Sequence, residues 1–245
     1  MDIFARSKTK STMKKGLILL FVASSLTLGA CKKKGCMDAS AVNYNTEAKK
    51  DNETCLYKPI ITLNGSSTVT ITLGSTYNDA GATAKNKDGS AVSVIANTSN
   101  VNTEQTGTYT VTYTATNDNG TTTATRTVNV VIGQDNWLVS WNAISDCSST
   151  QFPISGTPTI TANGENGLNI ENFFQLVGGT VTATINGSTI TIPEQIVNIT
   201  VGDVILSGTG TMNATGTQFQ VNYTYENTTP FIGGSGSCIA IYNKQ

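Results

Sequence analysis

Few side chains in this 245-residue chain can do chemistry, and the most telling are five cysteines: Cys31, Cys36, Cys55, Cys147 and Cys238. There is no histidine. That absence excludes a Ser-His-Asp triad, a Cys-His pair and a histidine-bearing zinc site. Hydrolysis by paired carboxylates needs no histidine. Glu165, Glu171, Glu194, Asp203 and Glu226 are the acids that could supply it. Glu171 alternates against Ile170, which puts it on the solvent side of a strand, and no second acid is paired with it. A Ser–Lys nucleophile would have to draw on Lys85, Lys87 or Lys244, all in turn-like or terminal contexts. Solvated surface charges are the plainer reading of both sets. The chain is expected to have no catalytic residues.

Binding chemistry has more candidates. Gly208-Thr209-Gly210 and Gly233-Gly234-Ser235-Gly236 have the glycine density of a phosphate cradle. Neither opens a helix, whose N–H groups such a cradle needs, so both read as turns or flexible connections. Trp137, Trp141, Tyr223, Tyr225 and Phe231 could form a ligand surface that stacks on sugar rings. Their i, i+4 and i, i+2 spacing is also that of rings filling a barrel interior. Asp38, Asn43, Asn45, Asp51 and Glu53 offer oxygen ligands suited to calcium. Their spacing is not that of an EF-hand, and Asx turns around a disulfide account for the same residues. Asp79 and Asp118 read as turn residues rather than metal ligands. No other cofactor is implied.

The elements that must position these groups are strands. About one residue in six is threonine, and Thr, Val, Ile and Tyr together favour β structure. Charge is placed unevenly. From residue 59 to the end there are four basic and eleven acidic side chains, a net of −7. A body of that sign does not attract nucleic acid.

Met13-Lys14-Lys15, the apolar run Leu17 to Ala23 and the small residues Leu28-Gly29-Ala30 before Cys31 read as an export signal too short to span a bilayer. Met13 is an alternative start. With Cys31 set aside, four cysteines remain, an even number that suits disulfides in an exported chain. Of the three possible pairings, proximity selects Cys36–Cys55 and Cys147–Cys238. In the chain-entropy picture these loops contribute about 3 and about 5 kcal/mol at most.

Four stretches follow: 1–30 as signal, 31–58 as anchor and stapled motif, 59–132, and 133–245. In 59–132, Thr68 to Leu73 and Tyr109 to Ala115 alternate with period two, and Asn117-Asp118-Asn119-Gly120 marks a hairpin. Short strands with regular turns argue a β-sandwich. In 133–245, seven or eight strands follow one another. The first runs from Trp137 to Trp141, another ends at Pro193, and the last includes Cys238. Bridging Cys147 to Cys238 ties the first strand to the last, which suits a lipocalin-like barrel or closed sandwich.

Three of these stretches carry resemblances. Leu28-Gly29-Ala30-Cys31 resembles the lipobox of bacterial lipoproteins. That implies cleavage before Cys31 and a lipid on its sulfur, with fatty acyl chains such as palmitate holding the protein to the membrane. Lys32 is not an acid, so the familiar inner-membrane retention rule does not apply. The outer membrane is favoured, and either face of it stays open. Cys36-Met37-Asp38-Ala39-Ser40-Ala41-Val42-Asn43-Tyr44, continuing to Cys55, resembles a cysteine-bracketed motif of exported bacterial proteins. Pro59 to Gly65, Leu73 to Ala84 and Gly107 to Val130 resemble a bacterial immunoglobulin-like domain of the surface-protein type, also found in pesticidal crystal proteins. Such domains serve as spacers or adhesion modules. The stretch 133–245 weakly resembles domains that follow such modules in exported lipoproteins. The expectation is an all-β, non-enzymatic surface lipoprotein that displays its C-terminal domain to a protein, glycan or lipid ligand. Two alternatives are a small-molecule or lipid carrier with a hollow barrel, and a glycan-binding module with an exposed aromatic pair.

Overall fold

The computed structural model describes residues 32–147, 152–174, 178–200, 202–228 and 234–245. The signal segment, Cys31, Phe231 and Gly233 lie outside the described residues. Two short strands, β1 (Lys34–Gly35) and β2 (Lys50–Asp51), pair in parallel in the first unit. Cys36 and Cys55 are bonded there, with Cα atoms 4.9 Å apart. So small a unit cannot build a core, and the cross-link takes its place.

The middle unit is a sandwich. One sheet has the order β3 (Ile60–Leu63), β5 (Ala82–Lys85), β6 (Ala91–Val92), and the other β4 (Thr68–Thr72), β9 (Gly120–Val131), β8 (Gly107–Asn117), β7 (Val94–Asn97). Strands β8 and β9 form a long hairpin across Asp118-Asn119. Period-two alternation decides its faces. Val111, Tyr113 and Val128 are fully buried, while Thr110, Thr112, Thr114 and Thr116 face Thr127, Thr125, Thr123 and Thr121 across the outer side. Burying each valine contributes about 1.5–3 kcal/mol.

The third unit is one nine-stranded antiparallel sheet. Its order is β11 (Ser155–Gly156), β10 (Trp141–Ser145), β18 (Gly234–Lys244), β17 (Gln218–Asn227), β16 (Gly202–Met212), β15 (Thr189–Ile199), β14 (Gly178–Asn186), β13 (Gly167–Phe174), β12 (Thr159–Ala162). The two edge strands are consecutive in the chain, separated only by Thr157 and Pro158. Three Cα steps reach at most about 11 Å. The sheet must therefore curl until its edges nearly meet, and one stretch of chain links them.

Several sequence expectations need correction. Gly208-Thr209-Gly210 is not a turn but the middle of β16. A Cβ on Gly210 would stand 2.1 Å from the Gln220 carbonyl oxygen, and one on Gly208 2.8 Å from that of Asn222. Glycine is needed there because the neighbouring backbone comes too close for a side chain. Gly234-Ser235-Gly236 likewise opens β18. Pro193 does not end its strand. It sits at the irregularity between Ile192 and Gln195, where a missing N–H breaks no ladder bond. The strand expected from Trp137 begins only at Trp141: a 3₁₀ turn, Gln134–Asn136, is followed by a turn and bend over 137–139. A second irregularity lies between Glu171 and Phe174, where Asn172 has a φ of 53°. It turns both Phe173 and Phe174 inward.

The sandwich and the curled sheet meet in packed contact. Leu73, Val130 and Ile132 belong to the same buried cluster as Trp137 and Met212. The Thr106 N–H donates to the Ala214 carbonyl at 2.8 Å, and Asn136 Nδ2 donates to the Leu73 carbonyl at 3.1 Å.

Candidate functional site

In the stapled unit the side chains of four of the five proposed calcium ligands, Asp38, Asn43, Asn45 and Asp51, hold hydrogen-bond partners. The Asp38 carboxylate accepts from the Ser40 hydroxyl and N–H and from the Tyr57 hydroxyl. These bonds, the Ser40 side chain first, hold its pKa down at about 2. Asn43 bonds the backbone of Thr54 and Leu56, Asn45 caps the Glu47 N–H, and Asp51 caps the Glu53 N–H. Glu53 itself takes a positive φ of 60° in the turn. Asp38, Asn45 and Asp51 each close a local turn, whereas Asn43 reaches across to Thr54 and Leu56. Among the described residues no three carboxylate, thiolate or imidazole side chains gather in a metal-holding group. Tyr57 also joins this unit to the sandwich: its carbonyl accepts from Asn117 and Asn119, and Lys87 lies 4.9 Å over its ring.

In the sandwich, Asp79 has a different role from the turn residue expected. Its carboxylate accepts from the hydroxyls of Tyr77 and Tyr113 and from the Arg126 guanidinium. Arg126 is buried, and it also donates to the carbonyls of Ser66, Asn64 and Gly81. Burial pushes the Asp79 pKa up, but the two tyrosine bonds and the arginine outweigh it and leave the pKa below the ordinary value. Tyr113 is pushed up, by burial first and by Asp79 next. An arginine in an alternating apolar strand was the available signal for this cluster.

The curled sheet places Trp137, Trp141 and Tyr223 in its interior at 0–1% exposure and Tyr225 at 9%. Trp141 packs edge-on against Phe219, which stacks on Tyr242 at 4.1 Å. Trp141 Nε1 donates to the Trp137 carbonyl, and the Tyr223 hydroxyl donates to the Phe152 carbonyl. Burial pushes the Tyr223 pKa up to about 12. The four rings therefore form no exposed stacking platform. They are inside because each occupies an inward position in its strand or turn. Among the described residues, large rings pack through the interior of the curled sheet. Cys147 and Cys238 are bonded, with Cα atoms 5.0 Å apart. Beside them the Ile239 N–H donates to the Asp146 carboxylate at 2.7 Å.

The candidate acids are all exposed. Glu171 faces outward opposite Thr180 and Thr159, and Asp203 accepts from Asn198. Glu165 lies in the turn before β13. Glu194 and Glu226 line one open depression of about 420 Å³ on the outer face. An adjoining groove of about 590 Å³ crosses β15 to β18 and shares Ser207, Thr224 and Ser237 with it. This groove was not foreseen. Its side-chain rows are the outward half of each alternating strand, polar but for Ile239, and Ile192, Tyr223 and Cys238 also reach its lining.

Residues 61–130 match the family model of the bacterial surface protein, Ig-like domain. The middle sandwich is that domain. Among solved structures, the chain is similar to the lipoprotein BT2262 from Bacteroides thetaiotaomicron, at 18% identity over 76% of this chain and 100% of that one. The TM-score is 0.31. No curated protein matches the chain. Among the described residues no helix is long and apolar enough to cross a membrane.

Proposed function

We propose that this is a non-enzymatic lipoprotein of the bacterial cell surface, held by lipid on Cys31, whose Ig-like domain carries the curled C-terminal sheet outward for binding. The match of residues 61–130 to a surface-protein Ig-like domain carries this reading. Three further observations support it. The lipobox-like Leu28-Gly29-Ala30-Cys31 supplies an attachment point, and two acyl chains or more hold a protein stably where one does not. Both joints of the Ig-like domain are packed and hydrogen-bonded, through Tyr57 at one and Leu73 with Asn136 at the other. Such joints suit a spacer that fixes the direction of its cargo. The outer face of the terminal sheet carries open grooves lined by hydroxyl, amide, carboxylate and apolar groups.

Replacing Cys31 with serine tests the anchor. The wild-type chain is expected in the membrane fraction, with its N-terminal peptide heavier by diacylglycerol and fatty acid. The variant is expected in the soluble fraction, or retained with its signal uncut. Equal membrane association and equal mass in both would refute lipid attachment at this residue.

A further inference from the structure

We propose that the groove across the outer face of β15–β18 binds an uncharged oligosaccharide. This deepens the reading above by naming the ligand class of the terminal domain, and it rests on that domain being the binding part.

Three rows of outward side chains build the groove, and the ladder register fixes them. Thr191, Thr209 and Asn222 lead to Ile239 in the first row. Ser207, Thr224 and Ser237 make the second, and Ile205, Glu226 and Ser235 the third. Alternate residues on a strand stand about 7 Å apart and neighbouring strands about 4.8 Å, so the rows form an extended bed, mostly polar, with Ile239 and Ile205 at its borders. The volume of about 590 Å³, with 420 Å³ adjoining, is in the range of small-ligand sites.

The chemistry of the bed selects among ligands. The backbone beneath it is already paired on both sides: β16 bonds β15 and β17, and β17 bonds β18. An added peptide strand finds no free N–H or C=O there, so recognition is left to side chains. Those outward side chains are hydroxyls, an amide and a carboxylate, with Ile205 and Ile239 adding apolar surface; hydroxyls and amides both donate and accept. The ligand that answers both is one that joins hydroxyls with apolar C–H faces. Ser207 and Thr224 are hydrogen-bonded to each other at 2.9 Å, which orients the central pair.

Charge narrows the class further. No lysine or arginine lines the groove or its extension. Residues 133–245 hold one lysine, Lys244, against seven acids. Asp146 stands at one end, with Glu194 and Glu226 at the other. That field repels phosphate and uronic-acid glycans, whereas carboxylates make strong acceptors for sugar hydroxyls. The outward rows of the groove lie on the face of the sheet opposite the buried rings, although Tyr223 and Tyr225 also reach its lining.

The test uses the full chain purified in detergent, so surface display does not enter it. Calorimetric titration is run against uncharged glucan, mannan and galactan oligosaccharides, polygalacturonate and a lysine-rich peptide. At least one uncharged oligosaccharide should bind, and polygalacturonate should not. Asn222→Ala should weaken binding about tenfold, the effect of one lost hydrogen bond. Thr224→Phe should abolish it by filling the bed, while Thr123→Phe, on the outer face of the Ig-like domain, leaves it unchanged. Near-UV circular dichroism of the interior rings checks that each variant is folded. The proposal is overturned if no uncharged oligosaccharide binds, if binding survives Thr224→Phe, or if only the peptide or polygalacturonate binds. Each of those results leaves lipid anchoring and display at the surface standing.

Discussion

Replacing Asp79 by asparagine removes the carboxylate paired, among the described residues, with a buried arginine, and the cost can be worked from the geometry. The Arg126 side chain is 1% exposed and that of Asp79 14%. Breaking such a pair from one side costs about 3–5 kcal/mol, because the remaining charge stays buried. Arg126 keeps its bonds to the carbonyls of Ser66, Asn64 and Gly81, which places the loss near the lower figure, about 3 kcal/mol. The pH dependence has a definite sign. The Asp79 pKa is lowered in the folded chain. Its contribution is therefore complete well above the unfolded value of about 3.9, and is lost as pH falls past that value through the folded one. Urea unfolding of both chains, followed by hydrogen exchange in the β8–β9 hairpin, measures the difference directly. The wild-type advantage should be level near neutrality and shrink below about pH 4. Adding Arg126→Met to the asparagine variant should restore part of the stability, since an apolar replacement leaves no bare charge. A difference below about 1 kcal/mol, or one that does not change with acid, would refute the reasoning.

Gly210→Ala should destabilise the curled sheet by about 3 kcal/mol, since its Cβ would meet the Gln220 carbonyl oxygen at 2.1 Å; thermal unfolding of the variant reads this. Tyr242→Phe should leave stability unchanged or raise it by up to about 1 kcal/mol, because the buried Tyr242 hydroxyl has no hydrogen-bond partner among the described residues. Removing both Cys147 and Cys238 should cost about 2–4 kcal/mol, seen as a lower urea midpoint. Under reducing conditions, which also open Cys36–Cys55, the wild-type chain should match the reduced double variant.

The strands of the Ig-like domain were legible because one face is apolar and the other almost wholly threonine: Val111, Tyr113 and Ala115 against Thr110, Thr112 and Thr114. Cysteine pairing was legible from position alone, since each bond closes within one unit. The short strands β11 and β12 were not. Two and four residues carry no period, and their place at the edges follows from the curl of the whole sheet. Gly208 and Gly210 read as a turn because glycine signals both a bend and a close approach of backbones, and only the neighbouring strand decides between them. The partnership of Asp79 and Arg126 joins residues 47 apart in sequence, and spacing says nothing of it. The aromatic residues were legible as a group but not as to side: alternation puts Tyr223 and Tyr225 on one face without saying whether that face is the core. The groove drew no notice because serine, threonine and asparagine on the outward positions of a strand are what solvent alone would select.

Display of the terminal sheet outside the cell is the central claim, and Lys244 offers a direct handle on it. It is the single lysine of residues 133–245, and it is exposed. Intact cells treated with a membrane-impermeant amine reagent, followed by peptide mass analysis, report its accessibility. Lys244 should be modified to the same extent in intact and in lysed cells. Modification only after lysis would place the domain behind the outer membrane and contradict the account.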